Sequence, residues 1–331
     1  MYPMYIGICM KFLELNSLNP YLNLAIEEYI FENCREETFI LWQNSPCIVI
    51  GKNQNPYAEV KIDLCKEKNV KIVRRITGGG AVYHDLGNVN YSFISPERRG
   101  GIDFEYFTKP VINALSDLGV SCELSGRNDI ILSSGAKVSG NAQYSKDGRV
   151  LHHGTLLFNS DLNVLDELLN VDPEKLKSKA VRSARSRVAN IKEFCKFDLS
   201  LSDFKEKIKD SILKSFSAEI IKSPEDEAVD KLFARNSSDE WIFNSKPFLS
   251  VYNIIRKKRF DFGSVELKLS VNKDTISSAS ITGDFFEKKS VKELEERLCG
   301  MNLYSPGIRG IDASEYILGM TNDDFIDLYK G

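Results

Sequence analysis

Histidine is scarce in this chain: three in 331 residues, at positions 84, 152 and 153. So small a set gives little support to a histidine-built metal centre. Seven cysteines lie scattered at 9, 34, 47, 65, 122, 195 and 299, with no Cys-x-x-Cys pair. An odd, dispersed set argues against a disulfide framework and a zinc site, and points to a reducing cytoplasm. No apolar run approaches the ~18 residues of a membrane helix. Met1 to Cys9 lacks the basic start of a secretory signal; Met10-Lys11-Phe12 reads as a start of its own, with residues 1–9 as an upstream extension. Neither sign of charge dominates, with 44 Lys and Arg against 47 Asp and Glu. The resulting net charge of −3 gives no sign of a nucleic-acid partner. No internal repeat or low-complexity stretch is evident. What remains, 42% apolar and 27% charged, is ordinary globular composition, with length for one large domain and one small.

Against this plain background one run stands out: Arg74-Arg75-Ile76-Thr77-Gly78-Gly79-Gly80-Ala81-Val82-Tyr83-His84-Asp85-Leu86-Gly87-Asn88. It joins a strand-like segment, Val70 to Val73, to another, Val89 to Ile94. Three glycines let main-chain N–H groups approach a ligand closely and form a concavity for a phosphate or carboxylate. The arginine pair adds an anion clamp. A hairpin turn alone would explain the glycines, but a turn needs neither the arginines nor His84-Asp85. The run is not a P-loop, because no Gly-Lys-Ser/Thr follows, nor a dinucleotide fingerprint, because a strand follows where a helix should open.

Helical spacing of Leu22, Ala25, Ile26, Tyr29 and Ile30 predicts a helix over Tyr21 to Cys34. Further helices are expected at Ala58 to Lys68 and Asp103 to Leu118, the latter ended by Gly119. Strands are expected at Phe39 to Trp42, Cys47 to Ile50, Val120 to Leu124, Asp129 to Leu132, Ala136 to Tyr144 and Val150 to Asn159. From Asp161 to about 235 the pattern is helical. Within it Lys175 to Arg187 is basic and uninterrupted by acid, readable as a solvated loop or as a cationic flap over an anion. Three strands between Phe248 and Ile281 and helices at Val291 to Cys299, Asp312 to Met320 and Asn322 to Tyr329 complete a small domain. Its boundary is placed near residue 246, giving domains 1–246 and 247–331.

Two more segments carry chemistry. Ser125-Gly126-Arg127-Asn128-Asp129 leads into Lys137-Val138-Ser139-Gly140-Asn141-Ala142-Gln143, where a lysine sits among small residues and amides. Such residues fill a core poorly but suit a ligand. In Leu151-His152-His153-Gly154-Thr155 the adjacent histidines of a strand face opposite ways, so one at most joins His84 in a site.

In family order, with Asn23-Leu24-Ala25-Ile26-Glu27-Glu28 before them, these segments resemble the lipoate–protein ligases over roughly residues 12 to 190. The stretch ending Ser183-Ala184-Arg185-Ser186-Arg187-Val188 resembles that family's adenylate-binding loop, and the tail from about 248 its accessory domain. Thr77 stands where the family often has Ser. The resemblance implies an α/β (α+β) fold related to biotin ligases: a mixed sheet flanked by helices, plus a small α+β C-terminal domain. It implies that lipoate and ATP, with Mg²⁺, give lipoyl-AMP, and that a lysine of an apo lipoyl domain then takes the lipoyl group. The acceptors would be E2 subunits of 2-oxoacid dehydrogenases or the glycine cleavage H protein. Apart from the resemblance, no long exposed apolar helix demands a partner, so a monomer is expected. By resemblance, Lys137 and Asp129 are catalytic, Asp129 as Mg²⁺ ligand or as base. Arg75, Gly80, Ala81, Val82, Tyr83, Lys137, Arg182 and Arg185 would bind ATP or the adenylate. Leu24, Ile26, Glu28, Trp42, Thr77, Gly78, Gly79, His84, Lys137 and His153 would surround lipoate. Rival readings are an octanoyl or lipoyl transferase acting through a cysteine thioester, with Cys122 nearest the lysine, and a non-catalytic lipoate-binding protein. A biotin ligase fits less well, since no basic-Gly-basic run appears.

Overall fold

A computed structural model describes residues 9–97, 102–126, 128–170, 188–214, 216–243 and 252–331. Its strands, in chain order, are β1 (Cys9–Glu14), β2 (Glu37–Trp42), β3 (Cys47–Ile50), β4 (Lys71–Arg74), β5 (Val82–His84), β6 (Asn88–Pro96), β7 (Cys122–Ser125), β8 (Asp129–Leu132), β9 (Lys137–Lys146), β10 (Arg149–Leu157), β11 (Ser217–Ile220), β12 (Ile254–Phe260), β13 (Gly263–Asn272) and β14 (Thr275–Gly283). Among the described residues the largest sheet is mixed, in the order β11-β1-β2-β6-β10-β9-β8-β7. Its first three strands run parallel and the rest antiparallel. A second sheet, β4-β3-β5, stands beside it, and β12-β13-β14 form a third.

Burial on both faces explains why β2, Glu-Thr-Phe-Ile-Leu-Trp, is nearly continuous in apolar residues rather than alternating. On one side Phe39, Tyr91 and Phe93 pack with Phe107 and Val111 of the helix Phe104–Asp117 and with Phe204 and Ile208 of the helix Leu201–Leu213. Phe204 is fully buried and stacks on Phe158 at 4.4 Å; truncating it to Ala would cost about 3–5 kcal/mol. On the other side Ile40, Trp42 and Ile94 pack with Leu24, Ile26 and Ile30 of the helix Pro20–Asn33 and with Val49 of β3. That helix starts where its sequence says it should: the Asn19 side chain accepts from the Tyr21 N–H, and Pro20 occupies the first turn. The mixed sheet flanked by helices is the architecture expected.

Three local expectations fail for physical reasons. Ala58 to Lys68 is two helices, Pro56–Glu59 and Ile62–Glu67, because Val60 adopts an extended conformation, is buried and bridges to Leu169. The helical stretch after Asp161 is interrupted by β11, an exposed polar strand that exists only because the edge of β1 is there to pair with. Asp312 to Met320 keeps only a single 3₁₀ turn, Ala313–Glu315; Ile317 bridges to Glu287 and Gly319 takes a positive φ of 85°.

The C-terminal part has its own core of Val265, Leu267, Ile281, Leu294 and Phe325 among others. The expected boundary near 246 falls in 244–251, outside the described residues. This part reaches the glycine turn directly. Gly79 N–H donates to the Phe285 carbonyl (3.0 Å), Gly283 N–H donates to the Asn53 carbonyl (2.9 Å), and Lys52 pairs with Glu287 at 2.6 Å. A Cβ on Gly78 would lie 2.3 Å from the Phe285 oxygen, and Gly79 has a φ of 89°, so both positions call for glycine here.

Candidate active site

β2, β6, β10 and β9 lie side by side, and one cavity opens along them against the glycine turn. Its walls include Leu24, Trp42, Val49 and Val82 at the apolar side and Asn128, Lys137 and Asn141 at the polar side. Arg75, Gly79, Gly80, Ala81, His84 and His153 complete the sequence-expected set that reaches it.

Lys137 opens β9, and its Nζ lies 2.8 Å from Asp129 Oδ1. The register places Asp129 opposite Gly140, with an irregularity between Ile130 and Ile131. Lys137 folds back over Gly140, where an added Cβ would lie 2.7 Å from Nζ and 2.9 Å from Cε. Gly140 is therefore the space in which the ammonium rests. Both side chains of the pair are about a third exposed.

The arginines differ from expectation. Arg74 does not clamp a ligand: its guanidinium donates to the carbonyls of Gly51, Lys52, Gln54, Trp241 and Ile242 at 2.6–3.1 Å and ties those loops together. Arg75 is also committed. Nε donates to Thr77 Oγ1 (2.9 Å), Nη1 to the Val49 carbonyl (3.1 Å), and Nη2 to the Gly78 and Gly80 carbonyls (2.7 and 2.8 Å). It shapes the glycine turn and leaves little for a bidentate anion contact. Burial lowers its pKa to about 10, so it stays charged at neutral pH.

Behind the turn runs a buried relay. Glu27 accepts from His153 Nδ1 (3.0 Å) and from Ser92 Oγ (2.5 Å), which in turn accepts from Trp42 Nε1 (2.9 Å). The carboxylate holds a proton on His153 Nδ1, and His153 Nε2 lies 2.8 Å from the Thr77 hydroxyl, which accepts from Arg75 Nε. His152 points the other way, stacking on Phe107 at 5.1 Å and bonding Gln143 at 2.7 Å. His84 meets Trp42 edge-on at 6.2 Å and bonds Asn44 at 3.1 Å. Burial first, then Arg75 and His153, pushes its pKa down to about 3, so the ring is neutral.

The remaining expected residues lie elsewhere. Ile26 is in the helix–sheet core, and Tyr83 pairs with Ile48 in the second sheet; neither lines the cavity. Glu28 points to Arg235, with which it makes two contacts, and it too is absent from the lining. Its neighbour Glu27 is the carboxylate behind the site, and sequence reasoning passed over it. The available signal was its apolar neighbourhood in a helix: an acid on the sheet-facing side needs a buried partner. Thr77 and Gly78 support the turn rather than line the cavity. Asn90 and Thr155 line it and were not singled out. Arg182 and Arg185 lie outside the described residues. Cys122 is in β7, packs against the main core, and has its thiol pushed up to about 11 by burial. No described cysteine lines the cavity. Among the described residues no group of three His, Cys, Asp or Glu is arranged to hold a metal, and no helix is long and apolar enough to cross a membrane.

A family model described as lipoyl protein ligase A/B catalytic domain matches residues 19–213, and one described as bacterial lipoate protein ligase C-terminus matches 250–328. The chain is 41% identical over 302 residues to lipoate–protein ligase 1 of Staphylococcus aureus, covering 88% of this chain and 90% of that protein. Its fold is similar to P. falciparum LipL1 in complex with lipoate, with TM-score 0.76 and 25% identity over 88% of this chain and 90% of that one. It is similar also to a lipoate–protein ligase A bound with ATP, with TM-score 0.60 and 26% identity over 71% and 98%. A cavity with a lysine at its polar end, set on this mixed sheet and matched over both parts of the chain, identifies the protein as a member of the lipoate–protein ligase family.

Proposed function

We infer that the chain joins lipoate to ATP and passes the lipoyl group to a lysine of an acceptor protein. The observation that carries this reading is a cavity in which an apolar wall ends at Lys137. A carboxylate oxygen of lipoate attacks the α-phosphorus of ATP, the bond to pyrophosphate breaks, and lipoyl-AMP forms. Both reactants are anions, so the ammonium of Lys137 offsets their repulsion and the charge of the transition state. A Cβ on Gly80 would meet nothing within 4 Å, so that side of the turn shaped by Arg75 is open, which supports Gly80 and Ala81 as contacts for the nucleotide. The acceptor lysine, as free amine, then attacks the acyl carbon; the bond to the phosphate oxygen breaks, AMP leaves, and the ammonium proton is lost to base.

Asp129, one accessible carboxylate beside Lys137, fits a Mg²⁺ held partly by protein and partly by ATP phosphates, where the ion would offset triphosphate charge. The same oxygen could instead take the proton of the incoming lysine. Apo lipoyl domains of 2-oxoacid dehydrogenase E2 subunits and the glycine cleavage H protein are the proposed acceptors. A cysteine-thioester transferase is disfavoured by the position of Cys122 and its raised pKa.

The test is lipoate-dependent ATP–pyrophosphate exchange, followed by transfer to an apo lipoyl domain. Exchange is expected with wild type and severe loss with Lys137→Ala. Transfer from an octanoyl carrier protein without ATP, abolished by Cys122→Ala, would replace this reading with the transferase.

A further inference from the structure

Two buried side-chain nitrogens of residues at the apolar end of the cavity have no protein partner. Asn90, 1% exposed, has an unpaired Nδ2, and His84, 3% exposed, has an unpaired Nε2. Both residues line the cavity. The donor character of His84 follows from its neighbours. Asn23 Nδ2 donates to the Asn44 oxygen at 2.9 Å, so Asn44 presents its NH₂ to His84 Nδ1 at 3.1 Å. With Nδ1 accepting and the ring neutral, the proton sits on Nε2. Asn90 Oδ1 is likewise occupied, accepting from Asn88 Nδ2 at 2.8 Å, which leaves the amide N–H groups.

The bond that Asn90 Oδ1 accepts from Asn88 Nδ2 explains one end of this amide but not its unpaired Nδ2. Its strand neighbours Val89 and Tyr91 fill the main core on the opposite face, where apolar residues belong. Asn90 stands directly opposite Trp42 of β2 and Thr155 of β10. A leucine would pack in that row, though it would leave the buried Asn88 Nδ2 without its acceptor; the unpaired Asn90 Nδ2 is itself a net cost to the fold.

The row also sets a distance. Gly140 N–H donates to Thr155 Oγ1 at 3.1 Å, and Lys137 lies over Gly140. From β9 to β6 is two strand spacings, ~10 Å. An eight-carbon acid held at Lys137 and extended across the strands therefore brings its far end to Asn90, Trp42 and His84. A saturated chain offers no acceptor there. A cyclic disulfide offers two sulfurs, weak acceptors that also pack well on an indole ring.

We propose that Asn90 and His84 are specificity determinants that select an acyl chain ending in a cyclic disulfide over a plain or carbocyclic one. This rests on the activation of an acyl carboxylate at Lys137. A hydrophobic wall alone would not discriminate, since ring shape and apolar area are nearly matched in a cyclopentane; paired donors do.

The experiment compares lipoate, octanoate and 5-cyclopentylpentanoate, the all-carbon isostere of lipoate, in ATP–pyrophosphate exchange. Wild type should use lipoate about fivefold or more better, in kcat/KM, than the isostere. Asn90→Leu should close that gap, chiefly by improving the isostere and octanoate. Equal use of lipoate and isostere by wild type overturns the proposal, and this arm needs no variant to fold. A uniform fall for all three acids in Asn90→Leu also overturns it. Exchange with none of the acids in wild type would instead defeat the activation reading itself.

Discussion

At the polar end of the cavity Lys137 pairs with Asp129, both about a third exposed, while at the apolar end His84, His153 and Trp42 are buried, His153 and Trp42 tied through Ser92 and Glu27 behind them and His84 bonded to Asn44. The first arrangement suits groups that must exchange partners as phosphates and an amine come and go. The second suits a wall that must hold its shape and stay dry. The difference implies that changes at the polar end alter rate with little effect on stability, whereas changes at the buried end alter stability first.

The sharpest break would come from Lys137→Ala. Loss of a positioned charge of this kind lowers kcat by about 10²–10³-fold. The same variant should unfold at nearly the wild-type temperature, because its partner Asp129 remains solvated. Exchange kinetics with thermal denaturation measures both, and a large fall in stability would erase the contrast between the two ends.

Glu27→Ala is the converse. It leaves His153 Nδ1–H and the Ser92 hydroxyl buried without an acceptor, at about 2–4 kcal/mol. Glu28→Ala should cost less, about 1 kcal/mol, because Arg235 is a third exposed and can turn to water. Urea denaturation of the two variants decides; equal losses would mean that the relay adds nothing to the buried end.

These neighbouring pairs show how far the sequence could be read. Residue type placed Lys137, His84 and the glycines at one site, since small residues and amides around a lysine make a poor core. The facing of His152 and His153 followed from strand alternation. Glu27 against Glu28 did not follow, because one residue of helix is a turn of about 100°, and only the position of Ser92 and His153 across the sheet selects between them. Arg74 and Arg75 looked like a clamp because a guanidinium suits an anion. That they serve carbonyls instead depends on Trp241 and Val49, distant in sequence and invisible to local pattern. β11 was illegible for the same reason: nothing in Ser-Ala-Glu-Ile marks a strand until β1 offers an edge.

The burial of this end has a pH signature. His84 has a folded pKa of about 3 against an ordinary 6.5, from burial first. As pH falls below 6.5 the unfolded chain takes a proton that the folded chain refuses, so stability is lost progressively toward pH 3. The loss from this group is at most ~1.4 kcal/mol per pH unit. Urea denaturation from pH 7 to 5 should give a shallower slope in His84→Asn than in wild type. Parallel slopes would mean that water reaches the ring and that this end is no drier than the other.

The mildest variant tests the polar end by position rather than charge. In Gly140→Ala the new Cβ would stand 2.7 Å from Lys137 Nζ and 3.8 Å from Asp129 Oδ1. The crowded atom is the tip of a flexible chain, so it can move aside at a cost of well under ~1 kcal/mol to the fold. Moving aside, however, takes the ammonium from where a carboxylate and a phosphate must meet, and a displacement of this size lowers kcat/KM for exchange by about tenfold. Unchanged melting with reduced exchange is the expected pair of results. Full activity would show that Lys137 finds its working position only once substrates arrive, and the contrast would then lie between a fixed buried end and a polar end with no fixed geometry at all.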